Sequence, residues 1–279
     1  MEKLGLIAGG GNLPLEVAQD CLAVGRPLFV IRLKGFADAA IAEFPGADIG
    51  IAELGKCFKT LKREGCKSVC FAGLVSRPDF RALRPDLRGI AALPRVIAAA
   101  RHGDDALLRA LLGEFEREGF KIEGVHQVAG SLTLGEGPLG KVSPKLEHEA
   151  DIQRALEVAR AIGKLDVGQG AVVVRGLVLA VEAQEGTDAM LRRCAELPAA
   201  LRGSPEAPCG VLAKTPKPIQ ERRIDLPTIG LATLHRAAKA GLAGIVGEAD
   251  GLLVVDREAV ISAADDLGLF VLGVRRGQP

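Results

Sequence analysis

Strand and helix alternate through the first hundred residues with links too short for anything but a parallel arrangement. Residues 3–8 (Lys-Leu-Gly-Leu-Ile-Ala) read as a buried strand, and Gly9-Gly10-Gly11-Asn12 as a turn. Asn12 suits a helix N-cap and Pro14 a first helical turn, so a helix is expected to about Gly25. Strands follow at Leu28–Leu33, Asp48–Ala52 and Ser68–Gly73, with a helix around Lys56–Glu64. Such alternation is the mark of a Rossmann-like parallel sheet. After a basic, proline-marked excursion (Leu74–Gly89), a helix is expected over 90–100. An amphipathic helix over Ala106–Glu118 then presents Leu107, Leu108, Leu111, Leu112 and Phe115 on one side, and a strand follows at 120–123.

Residues 130–144 hold four Gly and two Pro. They place a boundary between a domain over 1–130, a linker over 131–146 and a domain over 147–279. The second domain opens with a helix (Glu147–Ile162) and a hairpin, Ala171–Val174 and Leu177–Val181, around Arg175-Gly176. A helix from Gly186, a strand at Val211–Ala213, a helix at Ala232–Ala240, strands at 244–247 and 251–255, a helix after Asp256 and a strand at Leu269–Val274 complete a mixed α/β domain. The expected fold is therefore α/β in two domains.

Composition narrows the function. The net charge is +1, with no Trp and no Tyr, which argues against a nucleic-acid binder with a basic face and stacking rings. The six cysteines lack metal-ligand spacing and read as reduced, buried thiols of a cytoplasmic protein. No secretory signal and no run long enough to span a membrane is read in the chain.

The densest chemistry lies at 214–230. Six charged residues and a Gln fall between Lys214 and Asp225, on backbone stiffened by prolines and framed by apolar residues. Lys214, Lys217, Arg222 and Arg223 suit a phosphate or carboxylate. Asp225, set among cations, should stay ionised and is suited to hold a divalent cation or to orient a water. An ordinary ion-paired surface loop is the alternative. The turn at 9–12 precedes a helix N-terminus and so suits a phosphate, although Pro14 stands where the dinucleotide fingerprint needs glycine. Asp104 and Asp105 read either as metal carboxylates or as acids complementing a helix dipole. Glu182, Glu185 and Asp188 lie at a strand end and a helix mouth, an oxygen set of the kind magnesium takes, or again an acidic helix start. Isolated histidines and the lack of Gly-x-Ser-x-Gly give no support to zinc or to an elbow serine hydrolase.

Four segments together carry a resemblance: residues 5–14, 103–108, 182–190 and 217–227. In this order, over nearly the whole chain, they resemble the UDP-2,3-diacylglucosamine pyrophosphatases of the LpxI type. The resemblance implies a magnesium-dependent hydrolase of lipid A biosynthesis that releases UMP and 2,3-diacylglucosamine 1-phosphate (lipid X), with its active site in the cleft between the two domains. The family's critical aspartate falls on Asp225; Glu221 departs from the expected Asp but keeps its charge. The candidate magnesium shell is Asp225, Asp188 and Glu182. Candidate substrate contacts are Gly10, Gly11, Asn12, Leu13, Ser76, Arg77, Asp104, Thr187, Lys214, Lys217, Gln220, Arg222 and Arg223. The substrate would be a glycolipid nucleotide, needing an apolar cavity for two acyl chains and, at most, peripheral contact with a membrane. Two rivals are a nicotinamide-dependent oxidoreductase and a non-catalytic carrier of an acylated sugar nucleotide. Arg32-Leu33-Lys34 puts no acid at the end of the second strand, which counts against NAD.

Overall fold

The computed structural model describes residues 1–76, 83–101, 104–218 and 221–275, with the backbone alone for Asp104. The chain divides into two compact units: residues 1–131 with 221–225, and residues 132–220 with 226–279.

The first unit is built on a five-stranded parallel sheet in the order β3-β2-β1-β4-β5. Its strands are β1 (Leu4–Ala8), β2 (Leu28–Leu33), β3 (Gly46–Ile49), β4 (Ser68–Ala72) and β5 (Lys121–Ile122). Helix α1 (Leu13–Ala23) carries the chain from β1 to β2, and α2 (Leu54–Arg63) from β3 back to β4. Right-handed crossovers in opposite directions put these helices on opposite faces of the sheet. On the α2 face, α3 (Leu87–Ala100) and α4 (Asp104–Arg117) complete a core that includes Ile31, Phe58, Phe71, Leu112 and Phe115. A short helix, α5 (Val125–Val128), follows β5. Asp86 starts α3 by accepting from the Gly89 amide at 2.8 Å. Gly89 is required there, because a Cβ would strike the Ala52 carbonyl oxygen. Glu114 on α4, 1% exposed, fixes α3 by taking Arg95 (2.9 Å) and Arg88 (3.5 Å), with Arg117 as a third partner.

The second unit holds a six-stranded mixed sheet ordered β6-β13-β11-β9-β7-β8. These are β6 (Gly137–Leu139), β7 (Gly170–Val174), β8 (Leu177–Val181), β9 (Val211–Lys214), β11 (Gly244–Glu248) and β13 (Phe270–Val274). A separate parallel pair joins β10 (Thr228–Ile229) to β12 (Leu253–Val254). Helix α6 (Glu149–Lys164) covers one face. Helices α7 (Gly186–Glu196), α9 (Leu231–Lys239) and α10 (Arg257–Asp266) cover the other, with the short α8 (Ala199–Arg202) between α7 and β9. The predicted hairpin turn is present, with φ of 51° at Arg175 and 78° at Gly176.

The stretch read as a linker is different. It contains β6, which pairs antiparallel with β13 at the sheet edge, where a proline and glycines are tolerated. Glycine there serves close approach, since a Cβ on Gly273 would collide with the Gly135 carbonyl. The chain also returns to the first unit for residues 221–225, which a simple two-block reading did not foresee.

The Glu114 clamp sets a prediction. Burial pushes its carboxyl up, but the bonds from Arg95 and Arg117 outweigh this and hold the pKa below its ordinary value. A depressed carboxyl stabilises the fold above its unfolded pKa, about 4.3, and the contribution is lost as pH falls through the folded value. Glu114→Ala should destabilise the first unit by about 3 kcal/mol at neutral pH, read by denaturant unfolding, with the difference from wild type shrinking in acid.

Candidate functional site

The first unit encloses an apolar cavity of about 420 Å³. Its floor is the α2 face of the sheet, through Ile7, Ile31 and Phe71, and its walls are α2, α3 and α4. Leu74, Val75 and Ser76, just beyond β4, line it too, as do Ile224 and Asp225. Two acids, Glu53 and Asp225, are among the described lining residues. Glu53 is committed: its carboxylate accepts from the Gly50 amide at 2.6 Å, a bond that lowers its pKa. Asp225 is the acid brought in from the remote segment.

A charged network pins that segment. Asp105 accepts from the Glu221 amide at 2.9 Å and pairs with Arg109 at 2.8 Å. Arg223 lies against both oxygens of the Glu221 carboxylate at 2.9 Å and reaches Glu116 on α4 at 2.7 Å. Glu221 first, and Glu116 after it, hold the Arg223 guanidinium well above its ordinary pKa; Arg223 in turn lowers that of Glu221. The amides of Ile224 and Asp225 both bond back to the Glu221 carbonyl, at 3.0 and 3.1 Å, closing a tight turn. Gly124 lets this turn lie close: a Cβ there would come within 3.0 Å of the Arg223 Cα.

Several predicted contacts take on structural partners. Arg223, expected as a phosphate clamp, holds the turn instead. Lys214 is 4% exposed, and its ammonium donates to the Thr228 carbonyl at 2.9 Å. Lys217 pairs with Asp166 at 2.8 Å. Arg222 and Asp225 are half-buried within the pinned segment. In the glycine turn, the Gly11 amide meets the Asp38 carboxylate at 2.6 Å, while Gly10 bonds Leu74 in both directions. This turn does accept an anion, in the form of a carboxylate of the same chain. Asn12 precedes α1 but makes no side-chain cap; Leu13 is the first residue of that helix. Ser76 is exposed at the cavity. Thr187 sits half-buried in the first turn of α7. Arg77, Gln220 and the Asp104 side chain lie outside the described residues.

Two of the candidate magnesium ligands, Asp188 and Glu182, lie in the second unit. Asp188 pairs with Arg236 at 3.1 Å, and Glu185 with Arg193. Glu182 is 6% exposed and turned inward over Gly170, its Oε2 buried without a partner. Asp225 belongs with the first unit, and Glu182 and Asp188 with the second. Among the described residues no three His, Cys, Asp or Glu side chains group to hold a metal.

Asp105, Glu116 and Glu221 were not read as site-forming. The signal for Asp105 lies in Gly103-Asp104-Asp105, where Asp104 is the candidate substrate contact and Asp105 reads only as a helix or metal residue. Glu116 sits on the polar side of an ordinary amphipathic helix and carries no sequence signal of its own.

Comparison with known proteins agrees across both units. The LpxI N-terminal domain model matches residues 3–132, and the LpxI C-terminal domain model residues 135–272. A curated relative from Caulobacter vibrioides, UDP-2,3-diacylglucosamine pyrophosphatase LpxI, is 70% identical over 274 residues, covering 98% of each chain. Among solved structures, CobK precorrin-6A reductase aligns over 100% of this chain and 90% of its own at 13% identity, but its TM-score of 0.33 carries no weight for fold or function. With both of its halves matched by the family's two domain models and a relative this similar end to end, the chain belongs to the LpxI family.

Proposed function

We propose that this protein hydrolyses the diphosphate of UDP-2,3-diacylglucosamine to UMP and 2,3-diacylglucosamine 1-phosphate, a step of lipid A biosynthesis. The observation that carries the reading is Asp225 in the wall of a mostly apolar cavity, beside family membership and the activity named for the Caulobacter relative. The cavity falls in the usual range for small-molecule pockets, about 300–1,000 Å³, and its lining suits an acyl chain. Each methylene taken from water into it contributes about 0.8 kcal/mol. The lipid end of the substrate therefore seats itself by burial, with Asp225 as an acid in the same lining.

In the reaction a water oxygen forms a bond to one phosphorus, the bridging P–O bond breaks, and the water gives up a proton. Asp225 is the residue assigned to the diphosphate. Its place depends on the turn that Glu221 and Arg223 lock, so those two are positioning residues. Magnesium fits as an ion bound through one or two carboxylates and substrate phosphate oxygens, which requires no all-protein cage. Held there by Asp225, it would supply charge neutralisation at the phosphates. Arg222, within the locked turn, is assigned to the same charge. Gly10, Gly11, Asn12, Leu13, Ser76 and Thr187 stay in the proposal as nucleotide and sugar-phosphate contacts, although an anion at Gly11 must compete with Asp38.

Asp225→Ala should lower kcat by about 10²-fold or more while leaving product affinity near wild type, and excess chelator should suppress turnover of the wild type. Near-normal turnover of the variant, measured by phosphorus NMR, contradicts the assignment. Val96→Phe, which puts a ring into the cavity from α3, should raise KM for the long-chain substrate about tenfold and spare a short-chain analogue. Equal effects on both substrates would place the acyl chains elsewhere.

A further inference from the structure

Helix α3 is a cavity wall one helix thick, and its outward side is apolar as well. Inward, Gly89, Ala92, Leu93 and Val96 line the cavity. Outward stand Leu87, 87% exposed, and Ile90, 54% exposed, followed by exposed Ala91, Pro94 and Ala98. The spacing i, i+3, i+4, i+7, i+11 is that of one continuous stripe. A helix at a water-facing surface ordinarily carries polar residues along such a stripe, and one apolar all round is ordinarily buried. The cavity rim continues the pattern, with Leu74 78% and Val75 40% exposed.

The charge carried along this helix is mainly positive. From Arg84 to Arg101 the sequence holds four arginines (84, 88, 95 and 101) against one acid, Asp86, a net charge of +3. Asp86 is taken up by the Gly89 and Lys56 amides. Arg88 and Arg95 share Glu114, yet Arg95 remains 51% exposed; Arg84 and Arg101 are exposed at the two ends of the helix. Apolar side chains flanked by arginines suit the interface of an anionic bilayer, where each cation near the surface adds attraction.

We propose that the outer face of α3, with Leu74 and Val75, docks on an anionic membrane surface, so that a lipid substrate enters the cavity along the wall that touches the bilayer. The occupant follows from charge and from continuity: the docking stripe and the cavity lining are two sides of one helix. The inference rests on the reading that the substrate is a lipid. No described helix is long and apolar enough to cross a membrane, so contact through this face is peripheral.

The chain has no Trp and no Tyr, so one introduced indole reports without background. In the full-length protein, Leu87→Trp should show blue-shifted emission with phosphatidylglycerol–phosphatidylethanolamine vesicles, and quenching by brominated acyl chains. Leu22→Trp, at a 59% exposed site on α1 across the sheet, should show neither. Leu87→Glu with Ile90→Glu should weaken vesicle partition on the order of 100-fold, while turnover of detergent-dispersed substrate stays at wild type. No response at position 87, an equal response at position 22, or undiminished partition of the double variant overturns the proposal. A change of oligomeric state in the double variant, by sedimentation velocity, would make the face a contact between copies and also overturn it. Vesicle binding is read without turnover, so failure of the hydrolase reading and failure of this one are distinguishable.

Discussion

The Arg223–Glu221 pair is the interaction on which the site depends. Two guanidinium nitrogens meet two carboxylate oxygens within a five-residue turn, and a third reaches Glu116 on α4. A bidentate pair of this kind fixes orientation as well as distance. The turn belongs by its contacts to the first unit, although the chain on both sides of it belongs to the second. Without this lock, Asp225 would hang from a proline-rich stretch with no reason to face the cavity. With it, an acid from late in the sequence completes a pocket built from the first 115 residues.

The pocket depends on a second clamp. Glu114 is buried among arginines that hold its pKa below the ordinary value, and two of them come from α3. That helix has no acid between Leu87 and Ala100 and little polarity with which to define its own seat. Its position follows from Glu114 beneath and from Gly89 against Ala52. One carboxylate thus sets the spacing between α3 and α4, and hence the room left between them and the sheet. Cys57 on the cavity wall is pushed up to about 12 by burial, so it behaves there as an apolar group and not as a nucleophile.

Much of this was legible in the sequence. The strand–helix alternation from Leu4 to Ala72 led to the parallel sheet, and Arg175-Gly176 to the hairpin turn, because local periodicity and turn chemistry decide such elements. The edge strand Gly137–Leu139 was hidden: its glycine and proline resemble a linker, and only the partner strand makes them a strand. The basic residues of 214–223 were visible as charge, but charge does not announce its partner. Lys214 turned to a carbonyl, Lys217 to Asp166 and Arg223 to Glu116, through contacts over sequence separations that no local pattern carries, while Arg223 also took the Glu221 carboxylate two residues away. Space for acyl chains was expected without a position, and the apolar cavity lies in the first unit. It is defined by four strands and three helices whose spacing appears only on folding.

The most direct test is photolabelling with a substrate carrying a diazirine at the end of an acyl chain, bound to the Asp225→Ala protein and mapped by mass spectrometry. The account predicts adducts on α3 and α4, within Leu87–Ala100 and Asp104–Arg117. Adducts confined to residues 132–220 and 226–279 would contradict it, because the acyl chains would then bind in the other unit and Asp225 would have no role at the cavity.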